Sequence, residues 1–240
     1  MPSNWARLNR YQQQAGQTSR VRKARQHRRL LAESQGKMIT MWDERYSEEG
    51  FAYGKEPNDF LRAEYSRIPE NGQVLCLAEG EGRNAVFLAK HGYSVTAVDQ
   101  SEVGLQKAQK FASESGVAIQ TTVADLADYD LGVDVWDGIV SIWVHVPVAL
   151  RKRLHRNVVS ALKPGGILIL ESYTERHLEM DGTGGPPPSQ RELFMSLYEL
   201  QEELDGLEFI FGAETDRLVS EGRYHVGESA VVQVIARKPS

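Results

Sequence analysis

Residues 74–100, VLCLAEGEGRNAVFLAKHGYSVTAVDQ, constrain the fold of this chain more than any other stretch. The apolar run Val74–Ala78 predicts a buried parallel strand, and a glycine loop at residues 79–82 follows it. A helical pattern comes next, and Val95–Val98 predicts a second strand with Asp99 at its end. Strand, glycine loop, helix, strand and acid in this order predict a βαβ unit that binds a nucleotide.

The spacing within this unit supports a ribose-binding role for the acid. Asp99 lies 19 residues beyond Gly80, close to the roughly 20 expected when the acid accepts hydrogen bonds from ribose hydroxyls. Gly80 and Gly82 allow the backbone to approach a ligand closely, and the N-terminus of the following helix offers unpaired N–H groups.

The charges of the glycine loop indicate which cofactor fits. Gly80-x-Gly82-x-x-Ala85 satisfies a dinucleotide fingerprint, but Glu79 and Glu81 would face the pyrophosphate, and like charges in a partly desolvated cleft repel. S-adenosylmethionine has no phosphate, and a carboxylate in the loop suits its ammonium group. Arg83 and the helix N-terminus suit its carboxylate. We predict S-adenosylmethionine as the cofactor, with an NAD(P)-dependent oxidoreductase as the alternative.

The length and composition of the chain limit the classes of protein to which it can belong. The chain has 240 residues, enough for one large α/β domain, and its 41% hydrophobic and 25% charged residues are ordinary for a soluble globular protein. With a single cysteine, the reducing cytoplasm is the default compartment. No apolar run approaches the roughly 20 residues of a membrane helix. The single cysteine, Cys76, excludes an internal disulfide, and its strand position predicts a small buried side chain rather than a nucleophile. The six histidines show no metal-ligand spacing, so no metal is predicted.

The charges are distributed unevenly along the chain. Residues 1–37 contain nine Lys/Arg and one acid, Glu33, whereas the remainder has 19 basic against 32 acidic residues. We predict that residues 1–37 form a poorly ordered basic extension and that residues 38–240 form the domain. A tail for anionic surfaces, a transit peptide and a segment without function remain alternatives for the extension. The acidic body disfavours nucleic acid as a substrate.

The rest of the sequence alternates strands and helices, which predicts a parallel sheet with right-handed crossovers. Asn58 or Asp59 caps the first helix, and further helices are predicted over about Ser101–Ser115, Pro147–Leu162 and Ser189–Leu204. The roughly 16 residues between the last two strands have no helical period, which predicts a closing antiparallel hairpin. The predicted fold is therefore Rossmann-like, a seven-stranded mostly parallel sheet with helices on both faces and a C-terminal antiparallel hairpin. The predicted strands after the βαβ unit are 118–123, 136–143, 167–171, 207–213 and 230–236.

The order of these motifs resembles the class I S-adenosylmethionine-dependent methyltransferases over about Met41–Lys238. Their signatures in this chain are the glycine loop, Asp99, Asp125-Leu126 and the turn Leu162-Lys163-Pro164-Gly165-Gly166. Trp42-Asp43-x-Arg45-Tyr46, Gly54-x-x-Pro57 and Gly82-Arg83-Asn84-Ala85 resemble the tellurite-resistance and thiopurine methyltransferase subgroup, whose members methylate small, soft acceptors.

The resemblance implies a set of cofactor-binding residues. The glycines lie near the methionine part and the ribose, Asp99 binds the ribose hydroxyls, and Asp125 accepts from the adenine amino group. Cys76 and Ala78 stand where the family usually has an acid and a glycine, so we infer that Glu79 contacts the amino group of the cofactor instead. The implied set is Glu79, Gly80, Gly82, Arg83, Asn84, Asp99, Gln100, Asp125, Leu126 and Ser141.

The acceptor site is predicted past strands four and five. Methyl transfer needs alignment and exclusion of water, and it needs a general base only when the acceptor is protonated. By position, His145, Tyr173 and His225 are the catalytic candidates, and the loop around Gly184 either closes the acceptor pocket or is an ordinary connection.

The acceptor itself is predicted to be a small molecule. Ser141-Ile142-Trp143-Val144 lacks the prolines of enzymes that methylate amino groups in nucleic acids, and Cys76 lies in the wrong strand for pyrimidine carbon chemistry. A thiol, a chalcogen species or a heterocycle fits best. A non-catalytic S-adenosylmethionine-binding protein remains a third hypothesis, and the sequence leaves the oligomeric state open.

Overall fold

The computed structural model describes residues 41–240, of which 43–240 form one compact unit. The predicted basic extension, residues 1–37, lies outside the described residues. The strands are β1 Gln73–Leu77, β2 Ser94–Asp99, β3 Gln120–Val123, β4 Trp136–Ile142, β5 Leu162–Tyr173, β6 Glu208–Glu221 and β7 His225–Arg237. The helices are α1 (described over residues 41–47), α2 Asp59–Glu64, α3 Arg83–Lys90, α4 Glu102–Glu114, α5 Val148–Ala161 and α6 Leu197–Glu203, with 3-10 turns at Tyr65–Arg67, Glu175–Glu179 and Pro188–Leu193.

The seven strands form one sheet in the order β3-β2-β1-β4-β5-β7-β6. The pairings among β1 to β5 are parallel, and β7 runs antiparallel to both of its neighbours. This arrangement confirms the predicted mostly parallel sheet and its antiparallel ending. Within residues 41–240, no helix is long and apolar enough to cross a membrane.

Helices cover both faces of the sheet because the central strands are apolar on both sides. In β1, Leu75 and Leu77 face a core shared with α5 and α6, whereas Val74 and Cys76 face a core shared with α2, α3 and α4. Cys76 is completely buried, and burial raises the pKa of its thiol well above the usual range. The structure thus confirms that this cysteine is a small core residue.

Local capping sets where several helices begin. The Asn58 side chain accepts a hydrogen bond from the Leu61 N–H at 2.9 Å, so Asn58 caps α2. Ser101 caps α4 in the same way through the Gly104 N–H at 3.0 Å. These caps satisfy helix N–H groups that have no partner inside the helix.

The predicted single helix over Ser189–Leu204 is wrong. A 3-10 turn ends at Leu193, Phe194 and Met195 are extended and buried, and α6 begins after a capping box in which Ser196 and Glu199 bond reciprocally. The Met195 N–H donates to the Tyr173 carbonyl at 3.0 Å, which holds the interruption against the sheet. Burial of two apolar side chains therefore outweighs helix propensity in this segment.

The predicted long connection between the last two strands is also wrong. β6 and β7 pair continuously from Glu208↔Arg237 to Glu221↔His225, with only a short turn between them. Because β5 pairs with β7 no farther than Tyr173↔Val231, residues 216–230 project past the sheet as a two-stranded extension, here called the hairpin arm. Polar side chains occupy both faces of the hairpin arm. The alternation of apolar and polar residues that normally predicts a strand is therefore missing from its sequence.

A buried ion-pair cluster joins α5 to α6. Arg151 is fully buried and donates to the Glu203 carboxylate, with its closest contact at 2.8 Å, and to the Phe194 carbonyl at 2.9 Å. His155 Nδ1 lies 2.8 Å from the same carboxylate. Burial by itself would raise the pKa of Glu203, but the hydrogen bonds from His155 and Arg151 and the charge of Arg151 lower it to about 2.

We expect Glu203→Gln to lower the free energy of unfolding by about 3 kcal/mol at pH 7, because it removes the buried carboxylate partner of Arg151 and leaves only the half-exposed Glu199, 3.2 Å away, as a counter-ion. Since the folded-state pKa lies below the usual 4.5, the contribution of Glu203 is fully present above pH 4.5 and is lost as the pH falls towards 2. Urea unfolding at pH 7 and pH 3.5 measures the difference. Glu202→Gln, an exposed change on the same helix, is the control, and an equal loss at both pH values would contradict this expectation.

Candidate cofactor and acceptor site

The predicted cofactor residues lie along the carboxyl edge of strands β1 to β4. The strand order reverses between β1 and β4, and ligands of open α/β sheets bind at such a switch point. Ala78 follows β1 with φ +47° and an exposed methyl group, so it adopts the left-handed conformation that favours glycine. This conformation explains why the resembling family has glycine at this position.

Packing inside the protein accounts for the two glycines of the loop. A Cβ at Gly80 would lie 2.5 Å from Tyr46 Oη, and a Cβ at Gly82 would lie 2.6 Å from the Ala108 Cβ. Gly82 therefore lets α3 start against α4, and Gly80 lets α1 close over the loop. A contact of either glycine with the cofactor stays a prediction.

Asp99, at the end of β2, is hydrogen-bonded to the backbone of the glycine loop. Its carboxylate accepts from the Gly80 N–H at 2.9 Å and from the Ser101 N–H at 2.8 Å. Burial raises the pKa of Asp99, although these backbone hydrogen bonds oppose the shift. A carboxylate can accept about four hydrogen bonds and this one accepts three from the backbone, so the geometry is compatible with a predicted hydrogen bond to ribose.

Glu79 caps α3 with its buried carboxylate. Its Oε1 accepts from the Ala85 N–H at 2.8 Å. Burial raises the pKa of Glu79 to about 7, opposed by hydrogen bonds from the Ala85 and Asn84 N–H groups and by the charge of Arg83. Burial disfavours the ionised form of this carboxyl group, and a bound ammonium group beside it would stabilise that form. Binding the amino group of the cofactor is the role predicted for Glu79.

Two other predicted contacts are engaged within the protein. The Arg83 guanidinium donates to Glu221 Oε2 at 2.6 Å, and the Asn84 side chain accepts from the Asn58 N–H at 3.0 Å. Both side chains are buried. Their cofactor roles stay predictions, since these contacts connect the glycine loop to the hairpin arm and to α2.

The remaining predicted cofactor residues lie beside the open edge. Gln100, Asp125 and Leu126 are half-buried, and Asp125 accepts from the Ala127 N–H at 2.7 Å. Ser141 is buried in β4 opposite Leu77. The fold thus places at one edge the residues that the sequence predicts for adenine, ribose and methionine.

The three predicted catalytic residues meet in one group of rings past β4 and β5. Tyr173 stacks on Trp143 with centroids 4.3 Å apart, and His145 and His225 lie 5.9 and 5.5 Å from the same tyrosine ring. His177, which sequence reasoning missed, lies 4.2 Å from it. We call Trp143, His145, Tyr173, His177 and His225 the aromatic–histidine cluster.

The histidines of this cluster are uncharged at neutral pH. Burial lowers the pKa of His145 to about 3, and the proximity of His225 adds to this shift. Burial also lowers the pKa of His177 and of His225, although Glu221 opposes the shift at His225. Neutral imidazoles can each accept a proton or a hydrogen bond.

Glu221, at the end of β6, is the central residue that sequence reasoning missed. Its carboxylate accepts from Arg83 and from Trp143 Nε1, each at 2.6 Å, and from Asn58 at 2.9 Å and Arg217 at 3.1 Å. Burial alone would raise its pKa, but Arg83, His225, Trp143 and Arg217 hold the pKa well below the usual range. The sequence gives no clear signal for this residue, because polar side chains on both faces conceal the strand that carries it.

A second buried carboxylate extends the same network. Glu171 of β5 accepts from Arg217 at 2.7 and 2.8 Å and from Gln233 at 2.6 Å. The Arg217 guanidinium also lies 5.8 Å from the centre of the Trp143 ring. Two arginines and two glutamates therefore neutralise each other beside the aromatic–histidine cluster.

The hairpin arm is attached to the segment before α2. The Arg223 N–H donates to the Ala52 carbonyl at 2.9 Å, and Tyr224 Oη donates to Glu48 at 2.6 Å. Tyr53 packs on His225 with ring centroids 4.6 Å apart. These contacts cover the cluster on the side of the hairpin.

The residues of the loop fit a positively charged cofactor better than a dinucleotide. Glu79, Glu81 and Asp99 are all buried around Gly80, and Glu81 forms an ion pair with Lys107. A pyrophosphate would have to approach these carboxylates in a desolvated region, whereas a sulfonium and an ammonium group would be attracted. The buried carboxylates around Gly80 thus support the prediction of a cofactor without phosphate groups.

Comparison with known proteins shows what this chain is similar to. Residues 74–166 match a family model described as a methyltransferase domain. The 2-heptyl-1-hydroxyquinolin-4(1H)-one methyltransferase of Mycobacteroides abscessus is 29% identical over 127 residues, which are 51% of this chain and 56% of that protein. The chain spans about half the length of the curated relatives it matches.

Solved structures share the fold of the methyltransferase domain. TehB from Haemophilus influenzae superimposes with a TM-score of 0.61 and 21% identity, covering 75% of this chain and 61% of that one. The 1,6-didemethyltoxoflavin-N1-methyltransferase of Burkholderia thailandensis, solved with S-adenosylhomocysteine, gives a TM-score of 0.56 and 19% identity, covering 75% and 76%. These likenesses confirm the Rossmann-like architecture.

Glu79→Gln should make the methyltransferase domain more stable at high pH relative to the wild type. The folded-state pKa of about 7 lies above the usual 4.5, so the wild type loses stability as the pH rises from 4.5 to 7. Glutamine does not ionise. The free energy of unfolding of the variant, relative to that of the wild type, should therefore rise by about 2–3 kcal/mol between pH 4.5 and pH 8.

Denaturant unfolding at both pH values measures this difference. Glu70→Gln, an exposed change, is the matched control and should show a nearly constant difference. A difference for Glu79→Gln that did not depend on pH would show that burial does not perturb this carboxyl group.

Proposed function

We propose that this protein transfers the methyl group of S-adenosylmethionine to a small-molecule acceptor. The acceptor range that we propose is a thiol, a chalcogen species or a heterocycle. One observation carries the proposal. The carboxyl edge with Asp99 and Asp125 continues directly into the aromatic–histidine cluster, because Trp143 follows β4 and Tyr173 ends β5.

The chemistry assigns distinct tasks to the two halves of this edge. The bound cofactor would supply a methyl group activated by a sulfonium. Asp99 would hold the ribose, Asp125 and Leu126 the adenine, and Glu79 the amino group. Trp143 and Tyr173 would exclude water and align the acceptor, which is the main contribution that a protein makes to such a displacement.

The aromatic enclosure supports a planar acceptor within the proposed range. The relative from Mycobacteroides abscessus is named for methylating 2-heptyl-1-hydroxyquinolin-4(1H)-one, and the Burkholderia thailandensis neighbour for methylating 1,6-didemethyltoxoflavin. Both names point to heterocycles, and we extend them to this chain as a hypothesis. We also retain the prediction that the protein acts in the cytoplasm on neither nucleic acid nor membranes.

Calorimetry with S-adenosylhomocysteine and NADH tests the cofactor. We expect binding of S-adenosylhomocysteine only, weakened at least about 10-fold by Asp125→Ala, which removes a charge-assisted hydrogen bond. Asp128→Ala, an exposed neighbour, is the control. Glu79→Ala should weaken S-adenosylmethionine itself, and unchanged affinity would remove the proposed amino-group contact.

A labelled-methyl screen tests transfer against thiols, chalcogen oxyanions and heterocycles. Transfer to a member of one of these classes is the expected result. Cofactor binding without transfer to any of them would favour a non-catalytic protein that binds S-adenosylmethionine, and NADH binding would favour the oxidoreductase alternative.

A further inference from the structure

A basic pocket lies on the face of the sheet that carries α3 and α4, between α4 and the loop before α2. It shares no residue with the predicted cofactor site or with the aromatic–histidine cluster. Its volume of about 300 Å³ is at the lower end of the range for small-molecule sites. Its lining residues are Gly50, Phe51, Lys55, Lys107, Lys110, Phe111 and Glu114.

One face of α4 supplies four of these residues. Lys107, Lys110, Phe111 and Glu114 have the spacing i, i+3, i+4 and i+7, so they lie side by side along the helix. Phe111 is buried and packs in a small apolar cluster with Val86 of α3. This packing fixes the helix, and the charged side chains beside Phe111 line the pocket.

Two phenylalanine rings form the apolar wall of the pocket. Phe51 packs edge-on against Phe111, with ring centroids 5.3 Å apart. Lys55 Nζ lies 4.8 Å from the centre of the Phe51 ring and 5.0 Å from that of Phe111. Lys107 Nζ lies 5.2 Å from the Phe51 centre, and Lys90 Nζ, at the end of α3, lies 5.7 Å from the Phe111 centre. The electron-rich ring faces attract these ammonium groups and hold them close to one another.

The ammonium groups outnumber their carboxylate partners. Lys107 forms an ion pair with Glu81 and donates to three backbone carbonyls of the preceding segment. Lys55 and Lys110 share Glu114, at 4.0 and 3.9 Å, which is about 1 Å longer than a hydrogen bond. Within residues 41–240, the four lysines of this region therefore have only two carboxylates as ion-pair partners.

Like charges gathered in this way repel one another, so a bound anion would stabilise the arrangement. Ammonium groups are compact point charges, and they are common ligands of phosphate groups in proteins. A singly charged anion would offset one of the excess charges, whereas a diphosphate offsets them all. The domain as a whole has more acidic than basic residues, so overall composition does not account for this concentration of lysines.

We propose that this pocket binds a small polyphosphate anion, namely inorganic pyrophosphate or a compact diphosphate ester, between Lys55, Lys107 and Lys110. The anion takes the place of the Glu114 carboxylate, which is exposed and turns towards water. Lys107 is already held by its backbone partners, so binding orders chiefly the two exposed lysines. The site is separate from the cofactor edge and exists whether or not the protein transfers methyl groups.

Titration calorimetry of the full chain with inorganic pyrophosphate tests the site. The Lys55 and Lys110 side chains are 49% and 78% exposed, so replacing them leaves the core intact. We expect Lys55→Gln/Lys110→Gln to weaken pyrophosphate binding at least about 10-fold, because two charge-assisted contacts are lost. Lys152→Gln/Arg156→Gln, two exposed changes on α5 across the sheet, should alter the affinity less than about 2-fold because of screening by salt. Equal effects of the two double variants would overturn the site.

The shared carboxylate provides a test with the opposite sign. Glu114→Gln removes the competitor of the anion and should strengthen pyrophosphate binding about 3-fold, since exposed ion pairs contribute modestly. Glu202→Gln makes the same change in net charge on α6 and should leave the affinity unchanged. An equal gain in both variants would indicate a general charge effect and overturn a local site.

The class of anion is read from a series at constant ionic strength that contains acetate, phosphate, pyrophosphate and tripolyphosphate. We expect the affinity to rise at least about 10-fold from phosphate to pyrophosphate, because the second phosphate group reaches further ammonium groups. Equal affinities for phosphate and pyrophosphate would overturn the assignment to polyphosphates.

The location of the anion is tested against the basic extension and the cofactor edge. Arg25→Gln/Arg28→Gln removes two charges from residues 1–37 and should leave pyrophosphate binding unchanged. A loss in this variant without one in Lys55→Gln/Lys110→Gln would place the anion on the extension and overturn the inference.

NMR spectra of the full chain provide the second test of location. Pyrophosphate should shift the ring signals of Phe51 and Phe111 and leave the Gly80 amide signal in place. Shifts at Gly80 without shifts of the rings would place the anion at the cofactor edge and overturn the inference. The titration needs no S-adenosylhomocysteine, so its result is independent of the proposed function.

Discussion

The buried carboxylate of Glu221 is the interaction on which the shape of the site depends. It joins the hairpin arm to α3 through Arg83, to the end of β4 through Trp143 and to the cap of α2 through Asn58. A buried charge is tolerated only when its partners satisfy it, so these elements are held in one arrangement. Removing any partner would leave a charge or a polar group uncompensated in the interior.

The two halves of the site are built by different physical means. In the predicted cofactor half, backbone N–H groups hold the carboxylates in place. Asp99 accepts from the N–H groups of Gly80 and Ser101, and Glu79 accepts from that of Ala85. In the acceptor half, side chains from β4, β5 and β7 pack as rings around Tyr173. The first half therefore depends on contacts close in sequence, whereas the ring cluster depends on contacts between distant strands.

The buried position of the acceptor half also determines its chemistry. Exposed histidines would titrate near neutral pH, but burial keeps His145, His177 and His225 neutral. The paired glutamates and arginines add hydrogen-bonding groups without adding net charge.

Sequence by itself determined the βαβ unit, the Asp99 spacing and the alternation of strands and helices, and it predicted S-adenosylmethionine as the cofactor. These signals are local, because each comes from apolar periodicity, turn residues or charges within about 20 residues of one another. It also identified His145, Tyr173 and His225 as candidates by their places after strands. It did not reveal that these residues meet, nor that Glu221 and His177 join them. Only the tertiary structure decided this, because the contacts link residues far apart in the sequence, such as Asn58 and Glu221 at 163 positions, and form only when burial and pairing are satisfied together.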